Sequence, residues 1–167
     1  MGKEKEQVIS NTRSAQSAAP TPEAISILQF RLSNCIYAVE SIYIRFVYPI
    51  HTYTFLPCVP SFVLGLINVR RQILPLIDLR GLFELPILGA TSYQKALILQ
   101  KNEREFALMT DGILEVGSIA LADIQKPLRP LPGIQQEFLM GVTPENVIVL
   151  DGSKLLLAKQ LIVEEQV

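Results

Sequence analysis

From Ala24 onward the chain is written in short apolar segments separated by turn residues. AISILQFRL is followed by Ser33-Asn34 and then CIYAVE, two strand-length runs about a two-residue break, which is the pattern of a hairpin. IYIRFVY alternates as a half-buried strand does, and the proline-bearing loop HTYTFLPCVPS leads from it to residues 65–84, GLINVRRQILPLIDLRGLFE. There GLINV and QILPLIDL predict two more strands, joined at Arg70-Arg71. Pro75 has no N–H to give to a ladder, so it predicts an edge strand or a bulge. LRGLFEL then changes to a helical spacing of apolar residues, with Asp78 placed as its cap.

The same order of segments returns after a linker around PILGATS. LILQ at 97–100 answers ILQ at 27–29, EFALM answers IYAVE, and TDGILEV answers SIYIRFV with Ile113 opposite Ile44 and Val116 opposite Val47. Phe62-x-x-Gly65 is echoed by Phe138-x-x-Gly141. The strand ending at Asp78 is echoed by NVIVLD, which ends at Asp151, likewise placed as a cap, and runs into GSKLLLAKQLI. A unit of about five short strands repeated at an offset of about 70 to 75 residues has the size of a small barrel. Each half alone would have a thin core, so two all-β lobes with short helices are expected to bury apolar surface against each other. The expected boundaries are 1–22 for a disordered tail and 23–163 for the domain. Its lobes span about 23–90 and 91–163, with chain ends allowed to cross between them.

Composition narrows the class. The tail, MGKEKEQVISNTRSAQSAAPTP, is too polar to offset the entropy of ordering. Fifteen basic and sixteen acidic residues give a formal net charge of -1, so nucleic acid is not an expected partner. No run is long enough to span a bilayer as one helix and no secretory leader is legible, so a cytoplasmic protein without membrane insertion is expected. Cys35 and Cys58 form no C-x-x-C pair, and with His51 as the single histidine no zinc spacing exists; both thiols are expected to be reduced and buried.

No catalytic pattern emerges. His51, the two cysteines and Asp78, Asp111 or Asp151 stand at spacings that match no mechanism, and phosphate-loop, zincin and nucleophile-elbow motifs are missing. His51 reads as a solvated surface imidazole. The expectation is no catalytic residue, no cofactor and no metal. Arg70 and Arg71 are different: a charged hairpin tip can simply keep strand ends soluble, yet arginine between apolar strands is also the form of an interface anchor. A two-residue tip favours positive φ and hence glycine, so Arg-Arg implies either a longer turn or a strained Arg71. Asn68 either braces the turn or needs buried partners.

The string F-x-x-G-L-I-N-V-R-x-Q-I-L-P-L-I-D-L-R, preceded by Y-A-V and followed by F-A-L-x-x-D-x-I-x-E-V and V-I-V-L-D, resembles the CheW-like adaptor domain of bacterial chemotaxis over about residues 25–161. The resemblance implies two five-stranded SH3-like barrels around a shared core. It implies a non-catalytic adaptor that couples the regulatory domain of a CheA-like histidine kinase to the cytoplasmic tip of a methyl-accepting chemoreceptor. It carries Arg70 and Asn68 over as protein-interaction residues, with Ile44, Val47 and Gly65 as neighbours. Two positions depart from the pattern on that face: Phe46 stands where the family often has a carboxylate, and Arg70-Arg71 replaces an Arg-Gly tip. These departures leave open a scaffold of a pilus-motility or phototaxis array. The rival class is a small-molecule or enzymatic barrel with Tyr37, Tyr43 and His51 lining a cavity between the lobes.

Overall fold

The computed structural model describes residues 23–85 and 95–161. The expected tail, the PILGATS linker and the last residues of the expected domain lie outside them.

The described residues form ten strands: β1 (Ala24–Leu32), β2 (Cys35–Glu40), β3 (Ile44–Pro49), β4 (Val63–Val69), β5 (Gln72–Ile77), β6 (Lys95–Lys101), β7 (Arg104–Thr110), β8 (Gly112–Ala120), β9 (Leu139–Val142) and β10 (Ile148–Leu150). Two short helices follow β5 and β10: α1 (Leu79–Leu82) and α2 (Gly152–Leu157). Each begins at the aspartate read as its cap, whose carboxylate accepts from Arg80 N in α1 and Lys154 N in α2.

The strands form two five-stranded sheets, ordered β8-β1-β2-β10-β9 and β3-β6-β7-β5-β4. Under the correspondence of the two halves, in which β6 answers β1 and so on, these are the same order. Each sheet therefore joins the first two strands of one half to the last three of the other: β8 pairs with β1, and β3 pairs with β6. A boundary near residue 90 falls between β5 and β6, which lie in one sheet. The sheets divide instead where the chain crosses from β2 to β3 and from β7 to β8.

One main core lies between the sheets. Leu28, Phe30, Leu32, Tyr37 and Val39 come from one sheet, and Ile67, Leu76, Leu97, Leu99 and Leu108 from the other. A smaller cluster of Ile27, Ala38, Val147 and Val149 lies apart from it. On β1 the alternation of side chains sends Phe30 to the first and Ile27 to the second. Neither sheet could be dry on its own.

Two expectations are corrected. β5 is an interior strand, and the irregularity next to it falls on β4, between Val63 and Gly65. Leu66, opposite Pro75, turns its N–H and C=O away from β5 to Thr54, so the Leu66–Pro75 pair is a non-hydrogen-bonded one. The nitrogen of Pro75 then faces β7, whose ladder with β5 starts only at Leu76. No hydrogen bond is lost. Cys35 and Cys58 are exposed free thiols, because Cys35 opens β2 directly after the hairpin turn and Cys58 lies in the loop before β4 at φ 60°.

Candidate protein-interaction site

The β4–β5 hairpin closes through the two arginines alone. Val69 pairs with Gln72, and Arg70 and Arg71 have φ of 51° and 69°, the backbone of a two-residue type I′ turn. Both arginines, rather than Arg71 alone, sit in the left-handed region that glycine or asparagine occupies more cheaply. Both are exposed.

β3 supplies the platform beside this tip. Its burial alternates, with Ile44, Phe46 and Tyr48 half-buried and Arg45, Val47 and Pro49 exposed. A register shift in the β3–β6 ladder falls between Ile44 and Phe46. The Arg70 guanidinium carbon lies 4.2 Å from the centroid of the Phe46 ring, well inside cation–π range. Arg45 lies farther from the same ring, at 5.6 Å, and makes an ion pair with Glu105. Gln72 Nε2 donates to the other oxygen of Glu105 at 2.8 Å. The Glu105 side chain is only 7% exposed, and each of its two oxygens is engaged within the chain. Among the described residues neither Arg70 nor Arg71 meets a carboxylate.

The contact between Arg70 and Phe46 joins strands at opposite ends of one sheet, so the sheet curls until β3 and β4 approach each other. Between them lies a groove of about 270 Å³ lined by Tyr48, His51, Thr52, Tyr53, Thr54, Leu66 and Asn68. Its floor is fixed by a two-bond bridge: Thr54 N–H donates to Leu66 O and Leu66 N–H to Thr54 O, each at 2.8 Å. Gly65 makes this approach possible, because a Cβ there would stand 2.1 Å from Thr54 O.

The residues expected at the site thus separate into roles. Arg70, Arg71, Asn68 and Val47 are exposed, Phe46 and Ile44 are half-buried with their side chains against the core, and Gly65 is buried under the 50–61 loop. The Arg45–Glu105–Gln72 network was not legible in the sequence, since its members are far apart in the chain. The alternation along IYIRFVY was the one signal that could have placed Arg45 on the outer face.

The small-molecule constellation does not assemble. Tyr37 is buried in the core and stacks on Phe30 at 5.9 Å; burial, with a smaller push from Cys35, raises its phenol to about 12, which keeps it protonated. Tyr43 packs against Gly152, while His51 is exposed at the groove. Among the described residues no three His, Cys, Asp or Glu side chains gather as metal ligands, and no helix is long and apolar enough to cross a membrane.

Comparison with known proteins agrees with this architecture. The CheW-like domain matches residues 26–160. The chain is 27% identical over 150 residues to the chemotaxis protein CheW of Treponema pallidum (strain Nichols), covering 86% of this chain and 88% of that one. It is 28% identical over 90 residues to protein PilI of Pseudomonas aeruginosa, with 54% of this chain and 51% of that one covered. In structure it resembles the scaffolding protein TtCheW of Thermoanaerobacter tengcongensis with a TM-score of 0.66 and 25% identity, over 80% of this chain and 86% of that one. With its doubled five-stranded sheets and its matched span, the chain belongs to the CheW-like domain family.

Proposed function

We propose that this protein is a chemotaxis adaptor that couples a CheA-like histidine kinase, through its regulatory domain, to the cytoplasmic tip of a methyl-accepting chemoreceptor. It does so by protein contacts alone, without catalysis. It works in the cytoplasm, where receptor arrays at the membrane recruit it. The observation that carries the reading is the exposed Arg70-Arg71 tip, stacked on Phe46 beside the β3–β4 groove, in a chain of the CheW-like family. An arginine with a fixed base and a free fork has the character of an interface anchor. A groove next to it can take part of a helix laid across the two strands.

Retention of the purified protein on immobilised kinase regulatory domain and on receptor tip tests the reading. Wild type is retained on both, and Arg70→Ala is weakened on at least one by about 1 to 3 kcal/mol. Retention of neither ends the adaptor assignment, whereas equal retention of wild type and variant removes Arg70 from the contact. A pilus-motility or phototaxis array would use the same surface with a different receptor, and the partial likeness to protein PilI is the reason to include such a receptor in the panel.

A further inference from the structure

We propose that Phe46 sets the charge preference of this surface: it holds Arg70 by its ring face without neutralising it, and so makes the hairpin tip a binding site for an acidic polypeptide segment. The proposal deepens the adaptor reading and rests on it, since it names the chemistry of the partner at the same face.

A guanidinium carries five N–H donors and no acceptor. A carboxylate beside it would use two of those donors and cancel its charge. The Phe46 ring does neither, because the attraction of a cation to a π face takes up none of the in-plane N–H groups. At 4.2 Å the ring fixes the position of Arg70 and leaves the hydrogen-bonding edge to a partner.

The nearby carboxylate cannot substitute. Glu105 already accepts from Arg45 and Gln72, and that pairing removes Arg45 from the tip's charge as well. What remains at the tip is Arg70 and Arg71, two exposed guanidinium groups on a backbone that arginine adopts at a conformational cost. Beside them the groove offers His51, Thr52 and Asn68, which suit the polar groups of a polypeptide. Two cations on one tip of a chain whose formal net charge is -1 do not make the extended basic track that a nucleic acid follows. A polypeptide carrying carboxylates matches what is present.

The test uses the full chain and two synthetic helical peptides, one bearing glutamate pairs four residues apart and one with glutamine in their place. Wild type is expected to bind the glutamate peptide, more weakly as salt rises, and to leave the glutamine peptide unbound. Phe46→Glu places an internal carboxylate beside Arg70 and is expected to lower the affinity roughly tenfold and flatten the salt dependence. Phe46→Leu keeps the apolar contact with the core and removes the π face, so a severalfold loss is expected even if the glutamate variant folds poorly. Phe46→Tyr keeps the ring and is expected to match wild type.

Equal binding of the two peptides, wild-type affinity in Phe46→Leu, or tighter binding of an oligonucleotide than of the glutamate peptide each overturns the proposal. The two readings fail separately. A protein that binds the acidic peptide through Phe46 but retains neither kinase domain nor receptor tip loses the adaptor assignment alone. One that retains both partners regardless of the residue at 46 loses this inference alone.

Discussion

Asp78 and Arg80, two residues apart in the chain, are joined by both backbone and side chain. The Asp78 carboxylate accepts the Arg80 backbone N–H at 2.9 Å and also takes Arg80 Nε at 3.0 Å and Nη2 at 2.9 Å. The two side chains are 4% and 0% exposed. The residue that starts α1 is thus also the counter-ion of a buried guanidinium. Its counterpart Asp151 accepts from the Lys154 backbone N–H at 3.1 Å and sits in a more open place.

That difference predicts unequal losses from the same substitution. Asp78→Ala removes a cap and with it the carboxylate that pairs with the buried Arg80, which should cost about 3 to 5 kcal/mol. Asp151→Ala removes a cap without stranding a buried charge, relieves some repulsion of Glu40, and should cost about 1 kcal/mol or less. Denaturant unfolding of the two variants measures both, and equal losses would show that the ion pair adds nothing to the cap.

Gly65 is expected to tolerate no side chain. A Cβ there would meet Thr54 O at 2.1 Å and Thr54 C at 2.8 Å, and both are backbone atoms that cannot swing aside. The 50–61 loop would have to lift, breaking the two Thr54–Leu66 hydrogen bonds. Gly65→Ala should therefore destabilise by about 1 to 3 kcal/mol, as overpacking does, and speed proteolysis within that loop. Unchanged protection of the loop would mean that the bridge survives the added methyl.

Local features of this fold were legible because they are encoded locally. The first hairpin, the β4–β5 pair, both capping aspartates and the repeat with its Phe-x-x-Gly echo follow from spacing and turn chemistry within a few residues. The joining of each half's first two strands to the other half's last three was not legible, since period-2 alternation says which face of a strand is buried and nothing about which strand lies beside it. Arg80 was missed for a related reason: an arginine in a helical stretch reads as solvated, and only the approach of distant segments buries it. At the site, Arg70 stood out by matching a motif and Phe46 by departing from one, but their contact depends on the curl of a whole sheet.

The hairpin tip should be more stable with other residues. Arg70 and Arg71 hold φ of 51° and 69°, for which Asn-Gly is the favoured pair. Replacing both arginines with Asn-Gly should raise stability by about 1 kcal/mol, the relief of strain outweighing the lost contact with Phe46. The same variant should lose partner binding. A melting temperature that falls would place the cation–π contact above the turn strain in importance.

Glu40 gives the fold a pH dependence of its own. It ends β2 at the crossing to β3, and its carboxyl is raised above the ordinary value of 4.5, first by burial and then by the charge of Asp151, with Lys101 pulling the other way. The folded chain therefore holds this proton more tightly than the unfolded one. The associated stability is present below the unfolded value and is lost as pH rises through the folded one, so at neutral pH the ionised Glu40 works against the fold. Glu40→Gln keeps the shape and removes the charge. Because the site is partly solvated, the variant should be more stable than wild type at neutral pH by less than about 1 kcal/mol, and the two should converge near pH 4. Unfolding curves across that range decide the sign. A variant weaker than wild type at neutral pH would mean that attraction to Lys101 exceeds the effects of burial and Asp151 together.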